Sequence, residues 1–438
     1  MPPATSLFLS PHSSFAPAQL YRSGRLSQCL LWLACGAGVV GLLASRALVA
    51  LSPAVGVLAA LLNPDLRGGL RHYLRNGAAR RAALLYGLLL VSALYTSNWA
   101  GWRHETFRLL PWLAVPLAFA AAVPLSRRQR LAVGSLFVLG TALVGLATLG
   151  QYLLHPAEEN EAFRIGQSLP SITKIFHIHF AVMLVLAFFG ALHLRREPLA
   201  GPWLRRALAL AAGVGIVVLH VLAYRTGLFA LYLVLLLEAL RLLRRRRIGL
   251  ALGLLLLLAA GPWLAYQTLE PVRKRVEATR YDLDQFAQGR DINEFSLSRR
   301  LAAWRSALDV ARENPWLGVG PADAEAAMMR QYDWRDYGVR PRNRVMIHNQ
   351  YLHFLVGGGV LGLGLWLLLL GWPLLAQPAA RRNPYIRSFL LVMAAAMLVD
   401  SLLEVQIGYN LFVFGYGFLL VAAERHDASA PPPPLARS

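Results

Sequence analysis

The stretch RPRNRVMIHNQYLHFLVGGGVLGLG, residues 340–364, holds a combination of side chains suited to chemistry on a charged substrate. Arg340, Arg342 and Arg344 alternate along a short segment, and His348, Asn349 and Gln350 follow. A neutral imidazole is the side chain best placed to take up a proton near neutral pH. Guanidinium groups grip phosphate oxygens through forked hydrogen bonds. The chain then turns apolar and glycine-rich, so the histidine falls where a polar loop re-enters a bilayer. A base and a basic cluster at that depth suit a charged lipid headgroup. The competing reading is an interfacial histidine beside arginines that snorkel towards lipid phosphate.

Other candidates lie elsewhere in the chain. Arg300 precedes Trp304 by one helical turn, so the two share a face; the alternative is a surface arginine whose stem covers the ring. Arg225, in VLAYRTGLF, sits between two apolar runs with almost no loop. A charge at that depth usually faces a cavity or an anion, or else snorkels to the interface. Asp400 and Glu404, in MLVDSLLEVQ, are spaced one helical turn apart near the end of an apolar run. Intramembrane carboxylates are candidates for function, or for packing against an arginine. In SITKIFHIHF, Lys174, His177 and His179 read first as an interfacial anchor and second as headgroup contacts.

These residues need a scaffold, and the composition says which kind. Of 438 residues 56% are hydrophobic and only 15% charged, where soluble chains carry about 25% charged. The chain reads as an all-α integral membrane protein. About twelve apolar runs are long enough to be spans: roughly 28–44, 47–63, 80–97, 108–125, 131–153, 174–194, 206–223, 226–243, 248–267, 350–376, 386–404 and 410–424. The net charge of +21 sits mostly in arginine clusters: Arg22 and Arg25; Arg67 to Arg81; Arg127, Arg128 and Arg130; Arg195 to Arg206; Arg244 to Arg247; and Arg381 to Arg387. All fall on one side if the helices alternate, which puts both termini in the cytoplasm. That accounts for the charge as a topology signal and removes a nucleic-acid reading.

Four divisions follow: helices 1–9 over 1–266, a large outer loop over 267–349, helices 10–12 over 350–425, and a proline-rich tail over 426–438. The outer loop is nearly neutral and has structure of its own. Leu297, Leu301, Trp304, Leu308 and Ala311 recur at helical spacing, Asn314-Pro315 stops that helix, residues 318–321 form a turn, and 322–332 form a second helix. A loop this ordered is usually functional. Cys29 and Cys35 share the first apolar run and suggest neither a disulfide framework nor a metal site. Residues 1–20 lack the order of a signal peptide. No Walker A motif or metal-spaced His/Cys cluster appears, and no cofactor or metal is expected.

The motifs resemble a known family. His348-Asn349, nine residues, Gly359, two residues and Gly362 match the H-[N/S/Q]-x9-G-x-x-G pattern of the O-antigen ligase and polymerase superfamily. Arg300-Leu-Ala-Ala-Trp304 with Asn314-Pro315-Trp-Leu-Gly318-Val-Gly320 resembles the opening of that family's periplasmic loop, and Arg225-Thr-Gly its membrane-edge arginine motif. The resemblance implies a bacterial inner-membrane glycosyltransferase, similar in shape to the C-type enzymes but metal-independent. It implies transfer of glycan from undecaprenyl diphosphate to lipid A–core on the periplasmic face, with inversion. A polymerase, a protein O-oligosaccharyltransferase and, from another class, a lipid-linked sugar transporter are the alternatives. In the roles it implies, His348, Arg300 and Arg225 are catalytic. Arg225, Arg300, Arg340, Arg342 and Arg344 bind the diphosphate, and Asn349, Trp304, Asp400, Glu404 and Lys174 support them.

Overall fold

The computed structural model describes residues 17–164, 168–293 and 296–429. The proline-rich tail from Ala430 and most of the polar start lie outside these. Among the described residues the secondary structure is helical, without strands.

Each apolar run becomes helix, but nine helices among the described residues, not twelve, are long and apolar enough to span a bilayer: Arg25–Ala44, Gly77–Leu94, Arg127–Leu154, His177–Leu194, Pro202–Val221, Arg225–Arg244, Ile248–Thr268, Gln350–Leu375 and Gln406–Arg425. The other three runs give shorter helices. Arg46–Leu61 has 16 residues and Pro111–Ala121 has 11, and each carries an internal proline. Pro384–Met397 has 14 residues. It stops because residues 398–401 leave the helix to take partners from other elements, the condition under which irregular backbone is tolerated at membrane depth.

The arginine clusters gather at one end of the bundle. Gln28 donates to the Pro124 carbonyl at 2.6 Å, joining the start of the Arg25–Ala44 helix to the segment before Arg127. Arg81 pairs with Glu424 at 2.5 Å, and Arg387 with Glu238 at 2.6 Å. Positions 177, 225, 348 and 400 lie at the opposite ends of their helices or just beyond them.

Residues 267–349 fold into three helices, Glu270–Ala287, Ser296–Glu313 and Ala324–Trp334. The first was not foreseen. The buried face of Ser296–Glu313 also differs from the expected leucine stripe. Ala302, Ala303, Ala307, Val310 and Ala311 are buried with Met328 and Ile347, while Leu308 is exposed. Small side chains let this helix approach its neighbours closely; a leucine stripe would hold them apart.

The glycines of Gln350–Leu375 explain how the loop is anchored. This helix breaks at Gly359, which has φ 62° and ψ −160°, a conformation that favours glycine. The break admits residues 315–320 of the loop as a backbone partner. Val319 N–H donates to Val356 O at 2.9 Å, Gly320 N–H to Gly357 O at 3.1 Å, and Val360 N–H to Pro315 O at 2.8 Å. A Cβ on Gly359 would stand 2.3 Å from the Trp316 carbonyl carbon. The motif glycines therefore hold the loop against a discontinuous helix.

Candidate active site

His348 stands immediately before this broken helix with φ 48°, a left-handed conformation that costs a non-glycine residue about 1–3 kcal/mol. Its neighbour Asn349 over-determines that geometry. The Asn349 side chain accepts from Tyr351 N–H and Leu352 N–H as the helix cap. Asn349 Nδ2 donates to Leu398 O at 2.9 Å, and Asn349 N–H donates to Ser401 Oγ at 3.1 Å. Both contacts fall on residues 398–401, the segment that leaves the preceding helix.

That segment also receives Arg300. Arg300 Nη1 donates to Val399 O at 2.9 Å, and Nη2 lies 3.6 Å from Asp400 Oδ2. The same Asp400 oxygen lies 3.6 Å from His348 Nδ1. One carboxylate thus stands between the base candidate and a guanidinium, at ion-pair rather than hydrogen-bond range. Burial pulls the Asp400 carboxyl up, but His348 and Arg300 beside it outweigh that and hold it below the usual carboxylate range. Arg300 in turn is pushed down, by burial first and by neighbouring Arg299 as well, with Asp400 opposing.

Arg225 completes the set. Ala223, with φ 48°, reverses the chain between two helices, and Arg225 opens the second. It keeps accessible surface while the surrounding protein desolvates it, as expected of a side chain in a cleft. The Arg225 side chain makes no hydrogen bond or ion pair with any of the described residues. It lies within electrostatic reach of Arg300 and of Arg275.

Arg275 was missed by sequence reasoning. It is buried on Glu270–Ala287, donates to Ser168 Oγ at 2.6 Å, and is pushed down by burial and then by Arg225. The available signal was Glu270-Pro271 followed by a Glu270–Lys274 pair, an N-terminal helix signature. Asp282 fixes the placement of Arg275 relative to Arg300. It lies on the Arg275 helix and accepts from Leu297 N–H at 2.7 Å and Ser298 N–H at 2.9 Å, at the start of the Arg300 helix. His177, read first as an anchor, feels Arg275, Arg225, Arg300 and Asp400 together. His177 thus lies within electrostatic range of three guanidinium groups and one carboxylate, a locally positive environment.

Of the remaining candidates His179 lies within electrostatic reach of Asp400, and the others make their contacts elsewhere. Arg340 pairs with Asp291 at 2.6 Å; Arg344 pairs with Asp333 at 2.6 Å and lies over Tyr332. Both serve contacts within the loop, and Arg342 is exposed. Asp400 and Glu404 do not share a helix face, because the helix ends at Met397. Glu404 belongs to a second network, with Arg108 at 3.3 Å, His353 at 3.2 Å and Gln350 at 3.2 Å. Trp304 is half-buried in the loop core, and its Nε1 has no hydrogen-bond partner among the described residues. Lys174 is exposed in the turn before His177, with φ 61°. His179 is buried and packs against Gly408. Among the described residues no three His, Cys, Asp or Glu side chains gather as metal ligands.

The helices define a multi-pass, all-α membrane protein. Residues 223–367, which carry Arg225, Arg275, Arg300 and His348, match the family model described as O-Antigen ligase. The match covers about a third of the chain and supports a likeness to the O-antigen ligase superfamily over that segment. No curated protein matches the chain.

Proposed function

We propose that the protein is an O-antigen ligase of a bacterial inner membrane, transferring O-antigen polysaccharide from undecaprenyl diphosphate to lipid A–core on the periplasmic face. The reading is supported by the electrostatic proximity of Arg225, Arg275 and Arg300 to His177 and by the 3.6 Å approaches of Asp400 to Arg300 and to His348.

The donor sugar is already activated by its diphosphate. The acceptor hydroxyl attacks the anomeric carbon from the side opposite that leaving group, and the configuration inverts. Its proton passes to His348, whose ring is oriented by Asp400. The bond from anomeric carbon to phosphate oxygen breaks, and undecaprenyl diphosphate departs with the electron pair. Arg225, Arg275 and Arg300 receive the developing negative charge as fixed donors. Guanidinium groups supply the positive charge that a divalent cation supplies in other diphosphate-dependent transferases, so the reaction runs without metal. Gly359 and its neighbours keep the loop, and with it Arg300, docked against the helix that His348 precedes.

The test is purified protein with undecaprenyl diphosphate-linked glycan and lipid A–core, with chelator and without ATP. Ligation under these conditions is the expected outcome. Extension of the glycan without lipid A–core would instead assign a polymerase, and strict dependence on added divalent cation would overturn the arginine mechanism.

A further inference from the structure

Most of the loop over 267–349 is rich in charge, but residues 314–322 carry none. Within that stretch Pro315, Trp316 and Leu317 are exposed, Trp316 at 74% and Leu317 at 42%. The backbone of the same three residues is held by membrane helices. Pro315 O accepts from Val360 N–H at 2.8 Å, Trp316 O from Leu361 N–H at 3.3 Å, and Leu317 O from Tyr95 OH at 3.1 Å. Val360 and Leu361 have N–H groups to give because their helix breaks at Gly359. A loop in water leaves its carbonyls to the solvent. Irregular backbone at membrane depth must instead pair them within the protein.

The partners fix the depth. Along the helix Gln350–Leu375, Val360 lies about 15 Å from Gln350 and about 22 Å from Leu375 at 1.5 Å per residue. The hydrocarbon of a bilayer is about 30 Å thick. A span whose far end is Leu375, just before Gln377, Arg381 and Arg382, therefore keeps Val360 within the hydrocarbon. Val360 and Leu361 are themselves 52% and 48% exposed, so this face of the spanning helix meets lipid. On the other flank, Leu90, Val91 and Leu94 are exposed at the end of the Gly77–Leu94 span, next to Tyr95. Pro315 and Trp316 bond to the first of these surfaces and Leu317 to the end of the second, so their exposed side chains continue a face that lipid already covers.

We infer that residues 315–317 form a membrane-inserted wedge, through which the loop re-enters the leaflet on the His348 side and places the Trp316 and Leu317 side chains in the upper acyl chains. Trp suits that depth, since it pairs a large apolar ring with one polar N–H. The partner is the bilayer as a solvent, not a single bound molecule, and the inference does not depend on the function proposed above. Its consequence is mechanical. The Ser296–Glu313 helix, which carries Arg300, ends just before the wedge, so the membrane holds that end of the helix at a fixed depth.

Spin labelling of the full chain in phosphatidylethanolamine–phosphatidylglycerol vesicles tests this, with Cys29→Ala and Cys35→Ala as background and one new cysteine at a time. Trp316→Cys is compared with Leu361→Cys on the span and with Trp334→Cys in the loop, where the native side chain is 88% exposed. The label at position 316 is expected to collide with dissolved oxygen and to be shielded from a water-soluble nickel chelate, as at position 361, with the reverse at position 334. Chelate access at 316 equal to that at 334 would overturn the inference. Shielding from both reagents would overturn it too, replacing lipid by a protein contact. Tryptophan fluorescence gives a second measurement with a milder change. In vesicles whose lipid is brominated in the upper half of the acyl chain, Trp316→Phe is expected to be quenched less than the wild type, and Trp334→Phe is not. Quenching as strong in Trp316→Phe as in the wild type would place the ring outside the bilayer.

Discussion

Asp400 Oδ2 stands 3.6 Å from His348 Nδ1, and no hydrogen bond satisfies that buried oxygen among the described residues. The carboxylate is therefore free to tighten onto an imidazole that gains a proton, while Arg300 on its other side keeps it ionised. Asp400→Asn retains the shape and removes the charge. We expect transfer to fall about 10- to 100-fold, as when an orienting partner is lost, with acceptor KM little changed. Wild-type kcat in this variant would leave Asp400 a structural residue only.

The same carboxylate sets an acid limit. Asp400 is held below its ordinary value by His348 and Arg300 despite burial, and Glu404, which keeps accessible surface, is held down by His353 and Arg108. A depressed carboxyl contributes stability above its unfolded pKa of about 4 and loses it as pH falls through the lower, folded value. Thermal unfolding should vary little with these groups between pH 5 and 8 and fall off below about pH 4. Asp400→Asn and Glu404→Gln should each flatten that decline; an unchanged acid limb in both would remove these groups as its cause.

Arg225 is repelled by Arg300 and by Arg275, and an anion bound among them relieves that repulsion. Pyrophosphate is expected to raise the unfolding temperature of the wild type, and the shift should shrink in Arg225→Gln, Arg275→Gln and Arg300→Gln. Each should also lower transfer by about 10²- to 10³-fold, the range for removing one fixed donor from a developing oxyanion. Arg340→Gln, whose partner is Asp291, should keep the pyrophosphate response. Loss of the response in Arg340→Gln alone would relocate the anion site.

The backbone of His348 separates strain from chemistry. Left-handed φ costs an alanine about 1–2 kcal/mol and a glycine almost nothing. His348→Gly should therefore unfold later than His348→Ala, by about 1 kcal/mol, while both lose about 10²- to 10⁴-fold in rate with the general base gone. The reverse order of stability would show that the fold does not hold φ at 48°.

Gly359→Ala tests the anchoring of the loop. The new methyl would meet the Trp316 backbone, and its backbone conformation is one that alanine avoids. We expect limited proteolysis to cut residues 314–320 faster, and activity to fall because Arg300 shifts with the loop. Unchanged cleavage together with unchanged activity would dissociate the glycine motif from loop docking.

Much of this molecule is written in one dimension. Membrane insertion, the helical class and the segregation of arginines to one end follow from apolar run length and charge position, since a bilayer enforces both residue by residue. His348 and Arg225 stand out in the sequence because a base or a guanidinium at the edge of an apolar run is costly without a purpose, and Arg300 because it shares a helix face with Trp304. Tertiary structure alone decided which arginines meet. Arg340 and Arg344 look equivalent to Arg300 in sequence but are occupied by Asp291 and Asp333, whereas Arg275 reaches the cleft from a helix that periodicity did not reveal. It also separated Asp400 from Glu404, because the helix that would have aligned them ends at Met397. Long-range partners, absent from any local pattern, supplied the hydrogen bonds that made that ending possible.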